Sequence, residues 1–341
     1  MIKDMTKKII LFFLFTFWFQ SFFSQSIQDL YVIGKKYHEQ KKYNEAATVF
    51  TEIIQKAPSE NAYLERAKNY YQLEDYLKAE KDFLNVLALA PDKIVVYYYK
   101  GVSNLKMGKL EAAKKDLTLY TKIYSKDAKA YYSLGMCYFL KHEYSEALKL
   151  YNKVIELDDK NAYAFHDRAS AKRMLKDIDG AIIDYSTAIK LSPNEAFMYN
   201  NLGSAYRVKK EYDKAIETYK KALELENSYM YFNNIGQVYM EKEEYQTAIR
   251  YFSKTLELYP AFSGALNNRG KAYSKTNAYR MAMIDFNKAI ELDKNLGIAY
   301  LNRGIIFEKK KDLIKACENY KKASELGVGV AESYFKQICN E

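Results

Sequence analysis

The chain has 341 residues and a formal charge of +10, from 53 lysines and arginines against 43 aspartates and glutamates. Basic residues are spread along it with acidic ones among them, which excludes a continuous nucleic-acid track. Its three histidines and three cysteines include no pair at metal-ligand spacing, which excludes a metal-centred domain.

The N-terminus differs from the rest. Lys3, Lys7 and Lys8 precede an apolar run, Ile9 to Phe15, then Thr16, then Phe17 to Phe19, with Phe22 and Phe23 following. These make about 15 mostly apolar residues, where a membrane span needs roughly 20. With the small-x-small ending Ser24-Gln25-Ser26, residues 1–26 fit a secretory signal peptide. The second reading is an uncleaved membrane anchor within residues 9–23. Both keep the lysines inside and send the remainder of the chain across the membrane, so the expected location is the periplasm or the exterior. No cysteine follows the apolar run, which argues against a lipoprotein anchor. Without residues 1–26 (Lys3, Lys7, Lys8 and Asp4, net +2) the charge is +8.

Beyond this segment nine alanines, Ala46, Ala79, Ala113, Ala147, Ala181, Ala215, Ala248, Ala282 and Ala316, recur every 33 or 34 residues. Twelve before each stands glycine or alanine, from Gly34 to Gly304; four after each stands a large apolar residue, from Phe50 to Tyr320. All four prolines, Pro58, Pro91, Pro193 and Pro260, fall twelve after such an alanine. Numbering the unit 196–228 from 1, small or apolar residues occupy positions 4, 7, 8 and 11, then 17, 20, 24, 27 and 28. Steps of three and four on either side of a short polar stretch predict two amphipathic helices joined by a tight turn. Position 8 is small where the helices cross, and position 20 is alanine where the next helix presses. Position 32 tolerates proline because one helix has ended before the next begins. A single hairpin leaves its apolar face uncovered, so such units must stack.

This pattern resembles the tetratricopeptide repeat family, in an exported bacterial form. The resemblance implies an all-α fold: a right-handed superhelical solenoid of nine tetratricopeptide-type helix-turn-helix repeats with a C-terminal capping helix. The expected repeats are 27–59, 60–93, 94–127, 128–161, 162–195, 196–228, 229–262, 263–296 and 297–330, with the cap at 331–341. Position 11 departs from its usual aromatic at Asn104 and Lys172, where looser contacts are expected.

Positions 7 and 23 vary together. Basic residues at 7 meet aspartate at 23: Arg66 with Asp82, Lys100 with Asp116, Arg168 with Asp184, Arg269 with Asp285. Apolar residues at 7 (Ile33, Leu134, Leu202, Ile235) never meet an acid, and Arg303 meets Asn319. Antiparallel helices joined near position 15 set 7 opposite 23, which predicts four ion pairs. As partly exposed pairs they are worth about 0–1 kcal/mol each.

At the far end, Gly327 and Gly329 are expected to close the ninth repeat. Ala331, Tyr334, Phe335 and Ile338 then give the capping helix its apolar face. Cys317 and Cys339 are equidistant from residue 328, so an antiparallel cap would bring them face to face. Two readings stand: a disulfide contributing about 3 kcal/mol in an oxidising compartment, or two buried thiols. Cys137 reads as a small core residue.

No nucleotide-binding loop, zinc-protease motif or calcium loop occurs, and leader, repeats and cap use up the chain. The expectation is therefore a protein that is not an enzyme and takes no cofactor and no metal. Its expected partner is a protein or extended peptide, not nucleic acid, with weak contact to an anionic envelope surface and with membrane only through an uncleaved N-terminus. Lysines at the turns, including Lys41, Lys141, Lys209, Lys242 and Lys310, share their rim with Glu39, Glu143, Glu211, Glu244 and Asp312, a mixed solvated edge.

In the family the first helix of each repeat lines a concave groove through positions 2, 5, 6, 9, 12 and 13. Position 6 here is Asn201, Asn234, Asn268 and Asn302 in repeats six to nine, and position 5 is Asn200, Asn233 and Asn267 in repeats six to eight. An amide both donates and accepts, so such a ladder can pair with a peptide backbone regardless of sequence. The other reading has these amides bonding a neighbouring repeat. If the ladder serves a ligand, changing two to alanine weakens binding and leaves thermal unfolding almost unchanged. In the N-terminal half Tyr71, Tyr98, Tyr99, Tyr132 and Phe139 make the groove aromatic, suited to apolar side chains or sugar rings. Position 5 is never lysine and position 9 never asparagine, which excludes the family's basic clamp on a C-terminal carboxylate. The expected function is a protein- or peptide-binding scaffold of the cell envelope. The alternatives are a carbohydrate- or cell-wall-binding scaffold using the aromatic half, and an oligomerising envelope assembly factor.

Overall fold

The computed structural model describes residues 26–339, so the leader or anchor expected at 1–26 lies, but for Ser26, outside the described residues. The chain divides into two compact units, Met1–Ala164 and Phe165–Glu341. The first holds α1 (residues 26–39), α2 (Tyr43–Lys56), α3 (Glu60–Gln72), α4 (Tyr76–Leu89), α5 (Val95–Lys106), α6 (Leu110–Ile123), α7 (Ala128–Leu140) and α8 (Tyr144–Leu157). α9 (Ala162–Met174) follows, then α10 (Ile178–Leu191), α11 (Ala196–Val208), α12 (Tyr212–Leu225), α13 (Tyr229–Glu241) and α14 (Tyr245–Leu258). The second unit ends with α15 (Ser263–Lys275), α16 (Tyr279–Leu292), α17 (Gly297–Lys309), α18 (Leu313–Glu325) and α19 (Gly329–Cys339). Among the described residues there are nineteen helices and no strand, and none of the helices is long and apolar enough to cross a membrane.

One register runs through the array: a helix over positions 1–13, a turn at 14–16 and a helix over 17–30, as in α11 and α12. Position 15 is left-handed in all nine repeats: Lys41, Glu74, Gly108, His142, Lys176, Lys210, Glu243, Asn277 and Lys311 have φ between 58° and 73°. That conformation lets the position 16 N–H reach the position 11 carbonyl, as Glu211 reaches Tyr206 at 2.9 Å, closing the first helix with a Schellman turn. Only Gly108 and Asn277 are residues that favour this region, so the sequence announced a tight turn without its handedness. Asp75, Asp177 and Asp312 then cap the second helix from position 16.

The core is the same in each repeat. All nine position-20 alanines are fully buried, and so are the large position-24 side chains from Phe50 to Tyr320. A Cβ on Gly203 would lie 2.8 Å from the Tyr219 ring, and one on Gly236 2.6 Å from that of Phe252, so glycine is what lets the two helices touch. Cys137 is buried and unpaired, and burial pushes its thiol up to about 12.

All four expected ion pairs form: Arg66–Asp82, Lys100–Asp116 and Arg168–Asp184 at 2.7 Å and Arg269–Asp285 at 2.8 Å. Their energetic weight needs correction. The aspartate side chains are only 2–5% exposed, so these are buried carboxylates held by half-buried cations and not the weak surface pairs expected. The two irregular residues at position 11 are also not loose. The Asn104 amide donates to Asp116 at 3.2 Å and Lys172 pairs with Asp184 at 2.8 Å, each adding a second donor to a buried acid.

α19 covers the last hairpin through Ala331, Tyr334, Phe335 and Ile338, packed on Leu301 and Tyr320. Gly327 carries the positive φ that ends α18, but Gly329 opens α19 instead of closing the repeat, so the cap starts earlier than expected. Cys317 and Cys339 are joined by a disulfide, with 5.7 Å between their Cα atoms.

Candidate functional site

Two surfaces on the first helices merit attention, one in each unit. In the second unit the asparagines of repeats six to nine are spent partly on one another. Nδ2 of Asn234 donates to Oδ1 of Asn200 at 2.8 Å, Asn268 to Asn233 at 3.3 Å and Asn302 to Asn267 at 2.9 Å. Each position-6 amide thus reaches back to the position-5 amide of the preceding repeat. His166, at position 5 of repeat five, completes the series: its Nε2 accepts from Nδ2 of Asn201 at 2.7 Å while Nδ1 donates to Asp167 at 2.8 Å. Sequence reading missed His166, although its position in the register was the available signal.

These bonds favour the other reading of the amides as well, since each fastens one repeat to the next and its loss is expected to lower stability, against the expectation of almost unchanged unfolding. Asn233 and Asn267 are buried, whereas Asn200, Asn201, Asn234, Asn268 and Asn302 remain half-buried. Each half-buried position-6 amide keeps its carbonyl oxygen and one N–H uncommitted among the described residues. Beside the ladder a cavity of about 190 Å³ is lined by Arg207, Gln237, Met240, Glu241, Asn268 and Lys271. Arg207 crosses to the next repeat, donating to Gln237 at 2.8 Å and Glu241 at 3.0 Å.

In the first unit, a cavity of about 440 Å³ opens between α3, α5 and α7. It gathers Tyr71, Tyr98 and Tyr132 of the expected aromatic set, with Lys106, Lys129 and Met136, residues that sequence reading did not name. Tyr99 stands behind it, stacked on Phe83 with centroids 6.0 Å apart and edge-on to Tyr71 at 5.4 Å. Phe139 is turned to Tyr144 at 5.3 Å and does not line the cavity. Burial, then the neighbouring Tyr71, pushes the Tyr98 hydroxyl up to about 12.

The turn lysines form the expected mixed edge, Lys141 with Glu111 and Glu143, Lys209 with Asp179 and Glu211, Lys242 with Asp213 and Glu244. Among the described residues no group of three or more histidines, cysteines or acids is placed to hold a metal ion.

Sequence profiles of the tetratricopeptide repeat match residues 60–93, 128–161, 196–229, 230–262 and 263–296. Tetratricopeptide repeat protein 13 of Homo sapiens is 33% identical over 97 residues, which are 28% of this chain and 11% of that protein. A tetratricopeptide repeat protein of Parabacteroides merdae superposes with a TM-score of 0.62 at 20% identity, over 72% of this chain and 99% of its own. The Cut9–Hcn1 structure gives a TM-score of 0.57 at 18% identity, over 91% of this chain and 76% of the other. At those identities the structural likeness speaks for the fold alone. Period, hairpin geometry and profile matches agree, and the chain belongs to the tetratricopeptide repeat family.

Proposed function

We propose that this protein is a non-enzymatic scaffold of the cell envelope that binds a protein or extended peptide, with the ladder of repeats six to nine reading the ligand's backbone. Proteins of this family generally bind proteins or peptides and are generally non-catalytic. The observation that carries the reading is the half-committed state of Asn234, Asn268 and Asn302. Each holds its side chain in place with one N–H and keeps a carbonyl oxygen and a second N–H. An amide already fixed by a neighbour loses little rotamer freedom when a ligand arrives, so its bonds contribute more to affinity than those of a free side chain. Export across the membrane is part of the proposal. It is supported by the basic, apolar and small-residue order of residues 1–26 and by the Cys317–Cys339 bond, since disulfides persist in oxidising compartments.

The test is fluorescence anisotropy of labelled extended peptides of scrambled sequence against the full chain and against Asn234→Ala/Asn268→Ala. Measurements are made well below each protein's unfolding temperature, because each lost staple costs about 0.5–1.5 kcal/mol. Binding that varies little among scrambled peptides and weakens in the double variant supports the ladder. Equal affinity for both proteins assigns these amides to register alone. Fractionation of producing cells tests the location, and a soluble cytosolic pool as the sole product overturns it.

A further inference from the structure

We infer that the turn edge of repeats eight and nine docks on an anionic lipid bilayer, its cations meeting headgroup phosphates while exposed aliphatic side chains enter the headgroup layer. This rests on the envelope reading for which leaflet it meets, and not on the asparagine ladder. Over positions 13–19, the turn and the start of the second helix, repeats one to seven each carry a net charge between −2 and +1. Repeat eight carries +2, from Lys275 and Arg280, and no aspartate or glutamate occurs in residues 263–284. Repeat nine carries +3, from Lys309, Lys310, Lys311 and Lys315 against Asp312.

At three earlier junctions the position-14 lysine reaches the position-18 acid of the preceding repeat: Lys141 to Glu111, Lys209 to Asp179 at 2.8 Å and Lys242 to Asp213 at 2.9 Å. At the last junction the corresponding residues are Lys310 and Arg280, two cations. The two turns adjoin there, since Lys309 Nζ donates to the Tyr279 hydroxyl at 3.4 Å and lies 5.3 Å from the centre of its ring. Asp312 is already engaged, accepting from the Lys315 N–H at 3.3 Å and from its ammonium at 2.7 Å. Lys275, Arg280, Lys309, Lys310 and Lys311 are all exposed and form no ion pair among the described residues. A solitary unpaired lysine selects nothing, but five cations on two adjoining turns repel one another until an anionic surface approaches.

Apolar exposure selects a bilayer from among polyanions. Ile314 is 77% exposed, more than any other large apolar side chain among the described residues, Leu313 beside it 50%, and Met281 beside Arg280 43%. Lysines flanking such residues place their ammonium groups at the phosphates while the aliphatic groups leave water. A nucleic acid or an acidic peptide would neutralise the lysines and leave Ile314 and Leu313 in water. Leu77 is 69% exposed at the same position of repeat two, but Glu74 and Asp75 adjoin it and repel such a surface.

The test puts a dye at the contact. Ile314→Cys in the full chain is labelled with an environment-sensitive nitrobenzoxadiazole group; Cys137 is buried and Cys317 and Cys339 are bonded, so the label goes to the new thiol. A local readout is needed because the apolar residues 9–23 can bring the chain to vesicles by themselves. Vesicles of equal parts phosphatidylglycerol and phosphatidylcholine shift the emission to the blue, an effect that fades with salt, and vesicles of phosphatidylcholine alone do not. Arg280→Asp/Lys309→Glu/Lys311→Glu on the labelled chain raises the lipid needed for half the shift by about tenfold or more, while Asn234→Ala/Asn268→Ala leaves it unchanged. The three replacements occur at the same positions of other repeats, as Asp213, Glu241 and Glu243, the last with φ 61°, and circular dichroism verifies the fold. An equal shift on neutral vesicles, no shift on anionic ones, or an unchanged response of the triple variant overturns the inference. So does an equal shift with dissolved polyglutamate or a single-stranded oligonucleotide. A cytosolic pool in the fractionation changes the leaflet and leaves the contact standing, whereas anionic vesicles that leave the dye unmoved remove this contact alone.

Discussion

Replacing Arg269 by methionine removes the one cation that, among the described residues, pairs with Asp285, a carboxylate only 4% exposed. The guanidinium grips Asp285 in bidentate fashion, Nε and one terminal nitrogen each at 2.8 Å, while the other terminal nitrogen donates to Ser253 of the preceding repeat at 3.1 Å. Methionine fills much of the same space, so the lost packing is small and the effect is electrostatic. An uncompensated buried carboxylate costs about 3–5 kcal/mol, against about 0–1 kcal/mol for a surface pair. The same geometry predicts that Arg269→Met/Asp285→Leu recovers most of the loss, because the pair's own desolvation cost disappears with it.

The assay is urea unfolding followed by far-ultraviolet circular dichroism, supported by hydrogen exchange of the α15 and α16 amides. Exchange is needed because a repeat array opens locally and a single unfolding free energy is not well defined for it. Arg269→Met should accelerate exchange in α15, α16 and the neighbouring α14 while leaving α3 and α4 as they were. A loss under about 1 kcal/mol in the single variant, or a double variant less stable than the single one, would refute the buried-charge reasoning.

Position 15 offers a reciprocal pair: Lys210→Gly should raise stability by about 0.5–1 kcal/mol by relieving a φ of 64°, and Gly108→Ala should lower it by about 1–2 kcal/mol. Thermal melts of both variants check the signs. Tyr98 titrates near 12 in the folded chain against 10.0 for a free phenol, so the unfolded state releases its proton first as pH rises. The stability it contributes is complete below pH 10.0 and lost by about pH 12, and Tyr98→Phe should flatten that part of an alkaline unfolding curve. Cys317→Ser opens a link across 22 residues, and should cost about 3 kcal/mol by the loop-entropy estimate, with exchange rising in α18 and α19 before anywhere else.

Much of this molecule was readable because each repeat poses the same packing problem nine times. A glycine at position 203 means little alone; repeated opposite Phe50, Tyr151, Tyr219 and Phe252 it marks a helix crossing. The pairing of positions 7 and 23 was legible in the same way, and so was the approach of Cys317 to Cys339. What escaped depends on depth and direction, which a period does not encode. The acids at position 23 face inward from the second helix, 2% exposed at Asp82 and 4% at Asp285, and a period does not say which face is covered.

Apolar stacking holds the hairpins together but does not by itself fix how far one slides on the next, since contacts among alanine and aromatic side chains are non-directional. The polar groups at the seams supply that direction, in two ways. Arg66 reaches Thr51 at 3.0 Å, Arg269 reaches Ser253 and Arg303 reaches Asn287, each bonding position 25 of the repeat before. Repeats six and seven carry Leu202 and Ile235 at position 7 and lack that arginine, and there Asn201 and Asn234 make the backward bond instead. Register thus draws on the same first-helix amides that a ligand would use, which is why asparagine at positions 5 and 6 could be read either way. Groups that neither device consumes are the ones left to recognise a partner. In the second unit those are the open half of each position-6 amide.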